Sequence, residues 1–121
     1  MGTAKVIVLE DEPLMRGMLR SVLDIAGLEA VILPSTEGVL EKMRDCDCVI
    51  SDLGMHNGSI YRFLDNVREN NPGVRVVLMS GDPGKLEEVF SSEKGKWEEG
   101  KLKTFPKPFN MVDMIISLRE E

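Results

Sequence analysis

No run of apolar residues in this chain approaches the roughly 20 that a membrane-spanning helix needs. The start, Met1-Gly2-Thr3-Ala4-Lys5, passes directly into a short apolar run that ends in acid, so the layout of a secretory leader is missing too. A cytoplasmic protein with no membrane partner is expected. Basic residues are outnumbered: 15 Lys and Arg stand against 21 Asp and Glu, for a net charge of −6. The basic face required for non-specific nucleic-acid binding is therefore absent. The lysines that do gather, Lys94, Lys96, Lys101, Lys103 and Lys107, are mixed with Glu93, Glu98 and Glu99, as in a solvated loop. No direct contact with nucleic acid is expected. Cysteine is scarce as well. Cys46 and Cys48 form a C-x-C pair without the two further ligands a zinc site uses. Cys48 reads as a small buried hydrophobe, and the pair would share one face if Cys46 already lay in a strand. There is no internal repeat and no long linker, so residues 1–121 are expected to form one domain.

What is present is ordinary globular composition, 42% hydrophobic and 30% charged, in a chain long enough to bury a core unaided. Lys5 to Leu9 (KVIVL) is apolar and β-branched, the pattern of a strand buried on both faces. Pro13 is tolerated in a first helical turn. Leu14, Met15, Met18, Leu19, Val22, Leu23 and Ala26 then recur at helical spacing until Gly27 ends the helix. Glu29 to Leu33 predicts a second strand, stopped by Pro34. Ser35 or Thr36 can cap a weaker helix holding Val39, Leu40 and Met43, with Gly38 unfavourable in its first turns. Cys48 to Asp52 is a third strand. Ile60, Phe63, Leu64 and Val67 mark one face of a helix that Asn70-Asn71-Pro72-Gly73 terminates.

Val74 to Met79 predicts a fourth strand, followed by a helix from about Lys85 to Phe90 and an irregular stretch containing Gly95, Trp97 and Gly100. Trp97 is expected to pack back on the body. Thr104-Phe105-Pro106 is a marginal fifth strand, weakened by its proline. Asn110 caps a last helix with Val112, Ile115, Ile116 and Leu118. Strand and helix thus alternate five times, which implies an open parallel sheet with helices on both faces.

In such sheets ligands bind beyond the carboxyl ends of the strands. Those ends carry Glu10-Asp11-Glu12, Asp52, Ser80 and Lys107. Three carboxylates in one crevice repel, by about 4 kcal/mol for a pair 4 Å apart at the dielectric of a protein surface. They therefore invite a hard, oxygen-loving cation such as a partly hydrated Mg²⁺. Lys107 adds a positive point charge and Ser80 a hydroxyl, both suited to phosphate oxygens. A carboxylate can itself be the nucleophile, forming an aspartyl phosphate. Taken singly, each residue reads more readily as a helix-cap, turn or solvated charge; their order at matching strand ends reverses that and favours a site.

The segments VIVLEDEP, VISDLGM, VLMSGD and FPKPF resemble, in order, the four signatures of the receiver domain of two-component response regulators. The resemblance covers essentially the whole chain. It implies a flavodoxin-like, doubly wound α/β fold: a five-stranded parallel sheet of order 2-1-3-4-5 with about five helices. It assigns Mg²⁺ binding to Asp11 directly, to Glu10 through water, to Asp52, and to the backbone carbonyl of Gly54. Asp52 matches the phosphoacceptor, Ser80 the hydroxyl that moves toward the phosphoryl group, and Lys107 the lysine that contacts it. Pro108 matches the proline whose preceding bond is usually cis. The implied partners are a sensor histidine kinase or phosphotransfer protein as donor, a downstream protein target, and a second copy in a possible homodimer. No enzymatic turnover beyond its own phosphoryl transfer and dephosphorylation is implied.

Three positions depart from the pattern. His56 stands where proline usually follows Asp-x-x-Met, and a solvated loop histidine is expected there. Ile60 replaces a usual glycine. Thr104 replaces the usual switch tyrosine or phenylalanine, with Phe105 one residue late. These departures keep open an unphosphorylated pseudo-receiver that acts only as an interaction module. A Mg²⁺-dependent phosphatase is the remaining alternative, although Ser51, Leu53 and Gly54 supply no second acid beside Asp52. With the last helix ending near Arg119, an output domain is not expected within the sequence.

Overall fold

A computed structural model describes residues 5–56, 59–107, 113 and 116. Strands β1 (Lys5–Leu9), β2 (Glu29–Leu33), β3 (Cys48–Asp52), β4 (Arg75–Ser80) and β5 (Leu102–Pro106) form one sheet in the order β2-β1-β3-β4-β5, every adjacent pair parallel. Among the described residues the helices are α1 (Pro13–Ile25), α2 (Val39–Lys42), α3 (Ile60–Asn70) and α4 (Pro83–Glu93). Residues 113 and 116 are helical. The Asn110 cap, most of the expected last helix and Pro108 lie outside the described residues.

Alternation along the strands sorts the core into two halves, because successive side chains point to opposite faces. Val6, Val8, Cys48, Ile50, Val77 and Met79 pack with Leu19 and Leu23 of α1. Ile7, Leu9, Val49, Val76 and Leu78 face the other way, onto Leu64 and Val67 of α3 and Leu86 and Val89 of α4. Leu64 is wholly buried. Its truncation, Leu64→Ala, is expected to lower unfolding free energy by about 2–5 kcal/mol, the range for an apolar core residue cut to alanine, measured by urea titration.

Several local expectations are revised. The start of α2 is not capped by Ser35 or Thr36: Gly38 holds the cap position at φ 72°, with no side-chain cap bond. Glycine reaches that left-handed conformation without a Cβ clash, so the residue expected to weaken the helix sets its entry. Helix α4 begins at Pro83, two residues before Lys85, because the Asp82 side chain accepts from the Lys85 amide at 3.1 Å. Strand β5 starts at Leu102; Pro106 falls at its last position on the sheet edge, where a missing amide is tolerated. Cys46 precedes β3, and the two cysteines lie in opposite halves of the core. Both are free, buried and pushed up by desolvation, Cys46 to about 11 and Cys48 to about 12.

The segment expected to be a solvated charged loop contains a buried carboxylate. Glu93, at the end of α4, is 0% exposed. It accepts from Arg68 Nη1 of α3 at 2.8 Å, from Trp97 Nε1 at 3.1 Å and from Lys96 Nζ at 3.3 Å. The Arg68 guanidinium also lies 5.1 Å from the Trp97 ring centre and pairs with Asp65. Trp97 thus packs on the body as expected, and Ile60 is buried against the same half of the core. This cluster joins the C-terminal ends of α3 and α4, so it lies at the end of the sheet opposite the strand carboxyl ends.

Candidate functional site

Strand β1 ends at Leu9, and Glu10 follows inside the protein while Asp11 is exposed. The Glu10 side chain is only 1% exposed. Its Oε2 accepts from the Glu12 amide at 3.3 Å, and its main-chain carbonyl accepts from Arg16 Nη1 of α1 at 3.2 Å. Desolvation raises the Glu10 pKa above the usual carboxylate value, opposed chiefly by its hydrogen bond from Lys107. Strand β3, apolar through Ile50, delivers Asp52 to the same crevice. Glu10, Asp11 and Asp52 each offer a carboxylate oxygen within 4.8 Å of the others.

Lys107, just past β5, closes the constellation. Its Nζ donates to Asp52 Oδ2 at 2.6 Å and to Glu10 Oε1 at 3.1 Å. At 19% side-chain exposure it is no solvated loop charge. Burial alone would lower its pKa, but the bonds to Asp52 and Glu10 outweigh that and raise it. A raised folded-state pKa contributes stability below the ordinary value of 10.5 and loses it as pH climbs through the folded value. Urea midpoints are therefore expected to fall above pH 10.5, with a shallower fall in Lys107→Ala.

The other Asp52 oxygen, Oδ1, accepts from the Gly54 amide at 2.8 Å. Gly54 lies in a short 3₁₀ turn, Leu53–Met55, and a Cβ there would stand 3.3 Å from that same Oδ1. Both carboxylate oxygens are thus oriented, one by a backbone donor and one by a cation. Three carboxylates and one ammonium sum to a formal −2. An all-oxygen donor set carrying that charge fits a divalent hard cation such as Mg²⁺.

Ser80 ends β4 one residue beyond Met79, the register partner of Asp52. Its carbonyl accepts from the Lys107 amide at 2.7 Å, which ties the two strand ends together. Its hydroxyl oxygen accepts from the Asp82 amide at 3.0 Å. The sequence pattern therefore leads to one crevice for Glu10, Asp11, Asp52, Gly54 and Lys107, with Ser80 at its edge.

Thr104 lines a hollow of about 230 Å³ with Pro83, Leu86 and Phe90 of α4. Phe105 packs into the opposite half of the core and does not replace an aromatic at 104. His56 is not the solvated loop residue expected. Its Nε2 lies 2.8 Å from Ser51 Oγ and its ring leans on Phe63, with centroids 4.3 Å apart and planes tilted by 39°. Burial lowers its pKa to about 4, so it is neutral at physiological pH. Neither the Ser51–His56 pair nor the Arg16 contact was signalled by spacing or composition.

The family model for the response regulator receiver domain matches residues 6–119. The chain belongs to this family. Over 117 residues the receiver is 25% identical to the DNA-binding transcriptional regulator NtrC of Rhizobium meliloti, covering 95% of this chain and 23% of that protein. It thus spans less than a quarter of the curated relative's length. A response regulator receiver domain protein from Clostridium thermocellum superposes with a TM-score of 0.77 at 25% identity, over 95% of this chain and 90% of that one. A Burkholderia pseudomallei response regulator, solved with a phosphorylated aspartic acid, a calcium ion and citrate, superposes with a TM-score of 0.75. The match covers 96% of this chain and 66% of that one, and at 17% identity it speaks to the fold alone. No helix among the described residues of the receiver is long and apolar enough to cross a membrane.

Proposed function

We propose that Asp52 is the phosphoacceptor of this receiver and that Glu10, Asp11, Asp52 and the Gly54 carbonyl hold Mg²⁺ for the transfer, Glu10 through water. Residues 1–121 act as a single unit in this reading, in the cytoplasm. The observation that carries it is the Lys107 ammonium 2.6 Å from an Asp52 oxygen, beside acids that converge within 4.8 Å. When bound, the metal supplies charge neutralisation between the carboxylates and the incoming phosphoryl oxygens.

The donor is a sensor histidine kinase or a phosphotransfer protein presenting a phosphorylated nitrogen. An Asp52 oxygen forms the new bond to phosphorus, the phosphorus–nitrogen bond breaks, and the imidazole retains the electron pair and takes up a proton from water. Phosphoryl transfer asks the protein mainly for alignment and electrostatic support. Gly54 and Lys107 supply alignment by holding the two Asp52 oxygens; Lys107 then supplies charge to the transferred group.

Output follows from Ser80. Its hydroxyl proton is left to donate to a phosphoryl oxygen, and any shift of the hydroxyl in doing so moves the acceptor of the Asp82 amide, Asp82 being the cap of α4. The rearrangement therefore reaches the α4–β5 surface, where a downstream protein or a second copy of the chain docks. Charge-assisted contacts contribute about 1.5–3 kcal/mol each, whereas moving an equilibrium from 1:99 to 99:1 needs about 5.5 kcal/mol. The switch is thus partial until a partner binds.

Incubation with acetyl phosphate and Mg²⁺ is expected to add one phosphoryl group, found by mass spectrometry of the intact chain and abolished by chelating the metal. A non-phosphorylated interaction module would stay unlabelled under the same conditions.

A further inference from the structure

The turn that brings Gly54 against Asp52 is held at both ends, and its far end is held by a side chain that the family pattern does not contain. At the near end, Asp52 Oδ1 accepts from the Gly54 amide. At the far end, His56 directly follows the turn and folds its ring back over β3. Its Nε2 meets Ser51 Oγ at 2.8 Å, and Phe63 of α3 supports the ring. Ser51 is 0% exposed and precedes Asp52 in the chain. Its hydroxyl also donates to the Asp52 carbonyl at 3.2 Å. A serine has one proton to give, so its oxygen is left to accept from the imidazole, and a neutral ring with hydrogen on Nε2 satisfies both bonds.

We infer that His56 is a positioning residue for the phosphoacceptor site: by bonding to Ser51 it fixes the Leu53–Met55 turn, and through Gly54 it orients the Asp52 carboxylate. Proline at this place would restrict the turn through its ring-locked φ. His56 achieves the restriction by a side-chain tether to the strand carrying the acceptor. The inference rests on the reading of Asp52 given above only in what the orientation serves; the tether itself acts in the metal-free protein.

The test separates the two. His56→Phe keeps a ring against Phe63 but removes the nitrogen; His56→Gln places an amide nitrogen near the position of Nε2; Ser51→Ala removes the partner. In metal-free protein, exchange of the Gly54 amide with solvent is expected to quicken about five-fold in His56→Phe and in Ser51→Ala, roughly what one net hydrogen bond controls. It should return to within two-fold of the parent in His56→Gln. Adding His56→Phe to Ser51→Ala should quicken exchange no further, because Ser51→Ala has already removed the bond to the ring. Mg²⁺ affinity by calorimetry, and labelling by acetyl phosphate, should weaken in the same order while the thermal midpoints of His56→Phe and His56→Gln remain alike.

Unchanged Gly54 exchange in His56→Phe overturns the inference, as does a His56→Gln variant no better than His56→Phe. Quickened Gly54 exchange in His56→Phe, together with a parent protein that never accepts phosphate, supports the tether and rejects the phosphoacceptor reading instead.

Discussion

Replacing Asp52 by asparagine is expected to cut labelling by acetyl phosphate on the order of 10⁴-fold or more, the scale seen when a covalent nucleophile is removed. Three carboxylates meet in the crevice, and the structure distinguishes them. Glu10 is buried, its Oε1 is bound by Lys107 and its Oε2 by the Glu12 amide. Asp11 is exposed at the rim. Asp52 has one oxygen set by the Gly54 amide and the other by the Lys107 ammonium, at 18% side-chain exposure. It is the carboxylate both oriented and reachable. Asparagine preserves the shape and can still accept from Gly54, so circular dichroism should be unchanged while mass spectrometry finds no added phosphoryl group. Persistent labelling of Asp52→Asn would mean that Asp11 is the acceptor.

Lys107→Ala is expected to act in opposite directions on two measurements. Without divalent metal it leaves Glu10 buried beside Asp52 without the ammonium that bonds both carboxylates. Removing one partner of a buried pair costs about 3–5 kcal/mol. A loss of about 3 kcal/mol is expected here, because Lys107 and Asp52 keep 19% and 18% exposure. Mg²⁺ should bind the variant more tightly than the parent, since the competing ammonium is gone, and should restore much of the lost stability. Urea titrations with and without Mg²⁺ measure both effects. Equal destabilisation in the two conditions would show that Lys107 does not share the carboxylates with the metal.

The sheet was largely legible in advance, for a physical reason. Buried parallel strands such as KVIVL, EAVIL and CVISD must be apolar and β-branched, and they end where polar residues begin. The rule that ligands gather at strand carboxyl ends then carried Glu10, Asp11, Asp52 and Lys107 to one crevice. Short elements were less legible. Gly38 looked like a defect in α2 and instead sets its left-handed entry, because a backbone requirement leaves no hydrophobic signature. Side-chain partnerships across space were not legible at all. Glu93 sat among lysines in the sequence, but Arg68, 25 residues earlier, bonds it inside the protein. His56 had no partner visible by spacing, since the bond to Ser51 depends on how the intervening turn folds. Trp97 bonds the same buried carboxylate as Arg68, a partnership across a turn that its position in the sequence did not reveal.

That placement of Glu93 gives α4 unequal ends. Its last turn is riveted through a buried carboxylate to a guanidinium of α3 and to an indole. Its first turn is joined to the crevice through Asp82, whose amide reaches one serine hydroxyl. Resistance to local opening is graded along a fold according to such attachments, so the first turn of α4 is the end expected to open more readily. Loss of that single bond would free the first turn and leave the last one held, so the two ends of one helix are expected to differ in amide-exchange rate.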